Sequence, residues 1–128
     1  MEEAKGSLVL DTDIFVDFFR GVGKAHSFIE AHADEISFSA LTEAELLSGA
    51  VCSDPREWER VLHILAQFDK IPIDNPLVQI AGDFRRNYKI AMPDALIAAS
   101  AFSSGAVLVT RNVRDFEKIE GLKLQVPY

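Results

Sequence analysis

The sequence has few of the features that mark a secreted, membrane-spanning or disulfide-stabilised protein. Its 128 residues include a single cysteine, Cys52, which excludes an intrachain disulfide and fits a reducing compartment. No apolar run approaches the ~18 residues that a membrane-spanning helix needs. Residues 1–5 are charged where a secretory leader would be apolar. We therefore expect a cytoplasmic protein without a membrane segment.

The chain also lacks an excess of positive charge. Its 13 Lys and Arg residues against 20 Asp and Glu residues give a formal net charge of −7. This balance argues against nucleic-acid binding through a broad basic surface. The acidic balance is compatible with nucleic-acid binding at a cluster of acids that holds divalent cations, because a bound cation inverts the local charge. A hydrophobic content of 48% supports a packed core, and the length fits one domain over residues 1–128.

Apolar segments alternate with segments of helical periodicity. Residues 7–10 and 106–109 are continuous apolar runs, which is typical of parallel strands buried on both faces. Further strands are predicted at residues 35–39, 71–73 and 123–126. Because helical patterns separate the strands, the sequence predicts an α/β fold with a mainly parallel sheet.

The most apolar predicted helix runs from Pro93 to Gly105. It is apolar nearly all round, so we expect it to be central and buried. Three aromatic residues on other predicted helices, Phe28, Trp58 and Phe68, have helical spacing, which favours a place in the core.

Acidic residues follow or flank these elements. In open α/β sheets, ligands bind beyond the carboxyl ends of the strands, and Asp11 directly follows the first strand. Its alternative role is an N-cap of the next helix, a role that Thr12 and Asp13 could share. Glu45 lies four residues from both Leu41 and Gly49, which places it beside an apolar helix stripe. A carboxylate there needs a partner unless it is solvated at the edge.

Two more acids occur near helix starts. Asp94 opens the apolar helix at the positive end of the helix dipole, and its simplest alternative role is a helix-start acid. Asp115 follows Asn112 by three residues, so the pair also fits a structural capping box. Four carboxylates at one sheet edge would repel one another at neutral pH. Mg²⁺ or Mn²⁺ would relieve that repulsion, since both prefer oxygen ligands.

The acids lie in segments that resemble, in order, the four motifs of PIN domains. The resembling segments are residues 10–17, 39–50, 92–99 and 109–116, and together they extend over nearly the whole chain. Among PIN domains, the similarity points to the VapC toxins of toxin–antitoxin pairs.

The resemblance implies a PIN-like α/β/α sandwich, with a central, mainly parallel sheet flanked by helices. It implies an endoribonuclease that hydrolyses RNA with water activated by Mg²⁺ or Mn²⁺, forms a homodimer and is inhibited by a cognate antitoxin. The implied catalytic metal ligands are Asp11, Glu45 and Asp94, with either Asp115 or Asn112 completing the set. The implied supporting hydrogen-bond groups are Thr12, Thr110 and Asn112.

Four arginines near the motifs are candidate contacts for RNA phosphates: Arg85, Arg86, Arg111 and Arg114. Ordinary surface charge is the alternative for each.

Two other functions fit parts of the sequence. In a haloacid-dehalogenase-type phosphatase, Asp11 would be the nucleophile of an Asp-x-Asp motif with Asp13. Phe15 does not suit that motif, and the later lysine motif of such enzymes is hard to place. A PIN-like module that has lost activity and only binds partners is the second alternative, although all the candidate acids are present.

Overall fold

The computed structural model describes residues 6–128; residues 1–5, where the sequence predicted no leader, lie outside the described part. The strands are β1 (Leu8–Leu10), β2 (Ile36–Ser39), β3 (Asp69–Ile71), β4 (Val107–Val109) and β5 (Leu124–Gln125). The helices are α1 (Thr12–Phe19), α2 (Gly23–Ala31), α3 (Ala40–Leu47), α4 (Pro55–Leu65), α5 (Asn75–Tyr88), α6 (Met92–Ser104) and α7 (Val113–Phe116). Among the described residues, no helix combines the length and apolar character required to cross a bilayer.

The five strands form one sheet in the order β3-β2-β1-β4-β5, and every neighbouring pair is parallel. This confirms the predicted α/β class. The chain runs from β1 outwards to β3 on one side, then returns to place β4 on the other side of β1. The strand order therefore reverses between β1 and β4. In open α/β sheets this reversal opens a ligand-binding crevice beyond the carboxyl ends of the two strands.

Each face of the sheet is covered by a hydrophobic layer. Successive side chains of a strand point to opposite faces, so Val9 packs in one layer while Leu8 and Leu10 pack in the other. The first layer includes buried residues of α5, α6 and α7, and the second includes buried residues of α1, α2 and α4. Burial on both faces explains why the strands are continuously apolar.

Helix α6 is the central, buried helix that the sequence predicted. Ala95, Ala98 and Ala99 are fully buried, and their small side chains let α5 and the sheet approach closely. The helix ends at Gly105, whose φ of 66° is a left-handed conformation that glycine adopts without strain. Its first turn carries Asp94, so the packing of α6 sets the position of this carboxylate.

The third strand lies two residues earlier than predicted. The sequence suggested residues 71–73, but β3 spans Asp69–Ile71 and ends where Ile71 pairs with Ser39. The next residue, Pro72, has no amide hydrogen and cannot extend the ladder.

The prediction of core aromatics was correct for Phe28 and wrong for Trp58. Phe28 is buried, and Phe68 packs partly buried with its ring 6.0 Å from that of Phe15. Trp58 is 41% exposed because it lies in the first turn of α4, ahead of the buried Val61.

Candidate active site

Asp11 lies at the carboxyl end of β1, within the crevice between β1 and β4. It is buried and serves as the N-cap of α1, with Oδ1 accepting from the Thr12 amide at 2.8 Å. Oδ2 accepts from the Thr110 hydroxyl, also at 2.8 Å. The pKa of Asp11 is raised to about 7, first by burial and then by the nearby charges of Asp13 and Asp94, which together outweigh the lowering effect of these hydrogen bonds. Asp11 is thus both the N-cap of α1 and a carboxylate whose pKa is strongly raised.

Thr110 connects the two sides of the crevice. Its fully buried hydroxyl donates to Asp11 and accepts from the Asn112 amide at 2.9 Å. The Asp11 amide donates to the Val109 carbonyl at 2.9 Å. These bonds hold the end of β4, and the segment that leads to α7, against the start of α1.

Glu45 reaches the site from α3 through a chain of hydroxyl groups. Its Oε1 accepts from the Thr12 hydroxyl at 2.7 Å, and the Thr12 and Thr42 hydroxyls are 2.9 Å apart. Glu45 itself is exposed, and Gly49 is exposed beyond the end of α3. Thr42 was not among the predicted site residues; its position three residues before Glu45 on one helix face was the available signal.

The charge of Asp94 interacts with those of the three other predicted acids. It is half-buried in the first turn of α6, and burial raises its pKa, followed by the charges of Asp115 and Glu45. Asp94 also raises the pKa of Asp11. The four predicted acids are therefore near enough for their charges to interact, although they come from four different helices or helix caps.

Asp115 and Asn112 contact each other, but they do not form the capping box that was the structural alternative. In that motif, the Asn112 side chain would accept a helix amide and Asp115 would accept the Asn112 amide. Instead, Asn112 makes no side-chain cap and its amide donates to Thr110. Its Nδ2 donates to Asp115 Oδ2 at 2.8 Å, so the amide group orients the carboxylate.

A second acidic network links α1 to Arg111 and Tyr128. Asp13 Oδ2 accepts from the Arg111 amide at 3.1 Å, while Asp13 Oδ1 is buried and has no hydrogen-bond partner among residues 6–128. Asp17 Oδ2 accepts from the Arg111 guanidinium at 3.1 Å and from the Tyr128 hydroxyl at 2.6 Å. The guanidinium also lies over the Tyr128 ring. Asp17 and Tyr128 were not among the predicted site residues, because their separation along the chain leaves no local signal.

The candidate phosphate contacts differ in their availability. Arg111 is engaged with Asp17, Arg85 donates to the Ile90 carbonyl at 2.6 Å, and Arg86 pairs with Asp83 at 2.6 Å. Arg114 is exposed on α7, and within residues 6–128 it forms no ion pair.

The residues at the crevice fit a hard divalent cation. The donors are all oxygens, and the carboxylates raise one another's pKa, which an added cation would reverse. Within the described chain, no three of these side chains converge on one point closely enough to complete a coordination shell. A partial set is sufficient for Mg²⁺, which usually keeps several waters and takes one or two carboxylates.

The raised pKa of Asp11 predicts a pH dependence of stability. In the unfolded chain the carboxyl titrates near 3.8, whereas in the folded metal-free protein it titrates at about 7. Between these values the folded state binds the extra proton, so the free energy of unfolding should fall as pH rises and then level off. Urea unfolding in chelator from pH 4 to 8 measures this, with Asp11→Asn as the control that lacks the titrating group. If the free energy of unfolding of the wild type instead rises with pH relative to that of Asp11→Asn, the prediction is wrong.

Together, the all-parallel sandwich and the cluster of carboxylates at its switch point define an α/β protein with an acidic, cation-compatible site. The PIN domain family model, "PIN domain", matches residues 8–122. The chain therefore belongs to the PIN-domain family, and its relatives place it among the VapC-type members.

Two kinds of relative support this assignment. Ribonuclease VapC10 of Mycobacterium tuberculosis is 32% identical over 123 residues, covering 91% of this chain and 90% of the relative. The chain of a toxin–antitoxin complex from Klebsiella pneumoniae is 32% identical with a TM-score of 0.83, covering 95% and 98%. VapBC2 from Rickettsia felis, solved with a promoter DNA fragment, is 25% identical with a TM-score of 0.80, covering 92% and 96%.

Proposed function

We propose that this protein is a metal-dependent endoribonuclease and the toxin of a toxin–antitoxin pair. The observation that carries the proposal is the electrostatic coupling of Asp94 to Asp11, Glu45 and Asp115 at the switch point of the sheet. The ribonuclease name of the VapC10 relative supports RNA as the substrate.

The proposed metal ligands are Asp11, Glu45, Asp94 and Asp115. When bound, Mg²⁺ or Mn²⁺ supplies a Lewis acid for hydrolysis of the phosphodiester bond by water. Thr110 and the Thr12 amide hold both oxygens of Asp11 in fixed directions. Asp94 lies in the first turn of α6, and the buried packing of that helix sets its position.

We assign the fourth ligand position to Asp115 and a supporting role to Asn112. The Asp115 charge acts on Asp94, whereas the Asn112 amide group is used to orient Asp115. Thr12 and Thr110 are supporting groups because each hydroxyl donates to a proposed ligand.

Among the candidate phosphate contacts, Arg114 is the strongest. It is exposed one residue from Asp115 and, in the described part of the chain, has no competing ion pair. The other three arginines would first have to leave an acceptor: Arg85, Arg86 and Arg111. Contacts from such side chains position a backbone without reading its sequence.

The partners we propose are an antitoxin protein and a second copy of the chain. An apolar groove of about 460 Å³ lies between α1, α3 and α4, and Glu45 lines one part of it. A groove of this character next to the site suits a segment of an inhibitory protein. The buried free thiol of Cys52 fits the reducing cytoplasm, which is where we place the protein.

The two alternative functions are less well supported. A phosphatase that uses Asp11 needs Asp13 as a free second acid, but Asp13 Oδ2 already accepts a hydrogen bond from the Arg111 amide. An inactive binding module has no need of four coupled carboxylates, whose mutual repulsion costs stability.

Metal removal is the direct test of this proposal. We expect the purified chain to cleave RNA internally with Mn²⁺ or Mg²⁺ and to lose cleavage in excess chelator, with recovery when the metal returns. Gel analysis of a mixed RNA substrate and sequencing of the fragment ends would measure this. Cleavage that persists in chelator would refute the metal requirement. Absence of cleavage together with hydrolysis of an aryl phosphate would favour the phosphatase.

A further inference from the structure

Glu45 is the most exposed of the proposed ligands, yet its carboxylate accepts a hydrogen bond from another residue of the site. It extends from α3 into solvent, and its contact with the rest of the site is the 2.7 Å hydrogen bond from Thr12. A flexible, exposed glutamate loses side-chain entropy when it is fixed. Something must therefore keep the Thr12 hydrogen directed at Glu45.

The number of hydroxyl hydrogens on Thr12 and Thr42 identifies the group that fixes the direction of the Thr12 hydroxyl. Thr12 has one hydroxyl hydrogen and donates it to Glu45 Oε1. The 2.9 Å bond between the Thr12 and Thr42 hydroxyls then requires Thr42 to be the donor. Thr42 is fully buried in the first turn of α3, where its hydroxyl cannot turn to water instead.

We propose that Thr42 is a positioning residue: its buried hydroxyl donates to Thr12 and so commits the Thr12 hydrogen to Glu45. This inference rests on the proposed function for its consequence in catalysis, but not for its geometry. Because Thr42 precedes Glu45 by one helical turn, α3 supplies both the carboxylate and the group that aims it. Thr12 bridges the two from the start of α1.

Three variants separate this role from a general packing role. Thr42→Val keeps the shape and removes the hydroxyl, while Thr42→Ser keeps the hydroxyl. We expect Thr42→Val to weaken Mn²⁺ binding, measured by calorimetry without RNA, and to lower kcat, each by about 10-fold, as losses around metal ligands do. KM for RNA should stay near the wild-type value, and Thr42→Ser should restore both properties. Ser100→Ala, which removes another fully buried hydroxyl, is the matched control and should leave binding and cleavage unchanged.

A double-mutant cycle tests whether Thr42 acts through Thr12. Combined with Thr12→Val, the change Thr42→Val should have almost no further effect, because the intermediate hydroxyl is already gone. Independent, additive losses would overturn the proposal.

A crystal structure of metal-free Thr42→Val decides the geometry independently of activity. We expect Glu45 to leave Thr12 and occupy several rotamers. A Glu45–Thr12 bond that persists unchanged would overturn the inference even if the wild type is an active ribonuclease. Conversely, a wild type that neither binds Mn²⁺ nor cleaves RNA would refute the proposed function, while the side-chain positions would still decide the role of Thr42.

Discussion

Replacing Asp94 with Asn should lower metal-dependent RNA cleavage by at least about 10²-fold, since metal ions supply several kcal/mol of charge stabilisation and each 1.4 kcal/mol is about tenfold in rate. Asp94 is the carboxylate that interacts with Asp11, Glu45 and Asp115, so its charge has the most neighbours in the site. Asn has the same shape but carries no charge. Initial rates of RNA cleavage at saturating Mn²⁺ measure the effect.

The same variant supplies a control for folding. Burial and two like charges raise the pKa of Asp94, so its ionised form destabilises the metal-free protein at pH 8. Asp94→Asn should therefore be at least as stable as the wild type in chelator, while Mn²⁺ should stabilise the wild type more than the variant. Asp83→Asn removes an exposed acid from α5 and should leave cleavage unchanged. Equal cleavage by wild type and Asp94→Asn would exclude the proposed metal site.

Replacing Phe15 with Ala should destabilise the fold by about 3–5 kcal/mol. The Phe15 ring is fully buried, edge-on to Phe38 of β2 at 5.9 Å and tilted against Phe68, between α4 and β3, at 6.0 Å. Such a loss is a large part of the 5–15 kcal/mol that stabilises a typical domain. Urea unfolding followed by circular dichroism measures it.

Trp58→Ala is the matched control for Phe15→Ala. Trp58 is also a large aromatic residue, but 41% of its surface is exposed, so its truncation should cost clearly less. Similar losses for the two variants would mean that the Phe15 cluster does not dominate this layer. Phe15 also lies one turn after Thr12 on α1, so we expect Phe15→Ala to lose cleavage at a lower temperature than the wild type does.

The predictions that relied on local pattern agree well with the structure. Continuous apolar runs located β1 and β4, and the all-round apolar composition located the buried helix α6. The placement of Asp11 at the end of β1 followed directly, because a residue after a parallel strand must lie at the carboxyl edge of the sheet. In each case the property depends on a few neighbouring residues.

Errors arose where a residue depends on partners far along the chain. The ends of β3 were displaced because its register is set by pairing with β2 and by Pro72. Trp58 has the spacing of a core residue, but the position of α4 leaves its first turn at the surface. Periodicity describes one face of a helix and does not say how much of that face is covered.

The sequence by itself determined the α/β class, the central helix and the strand end that carries Asp11, because short-range patterns encode them. The tertiary structure decided how the acids meet: Asp94 acts on Asp115 and Glu45, and Thr42 reaches Glu45 through Thr12. It also engaged Arg111 with Asp17 across 94 residues of chain. Such contacts depend on the packing of distant elements, and no local periodicity records which hydroxyl, carboxylate or guanidinium will be brought together.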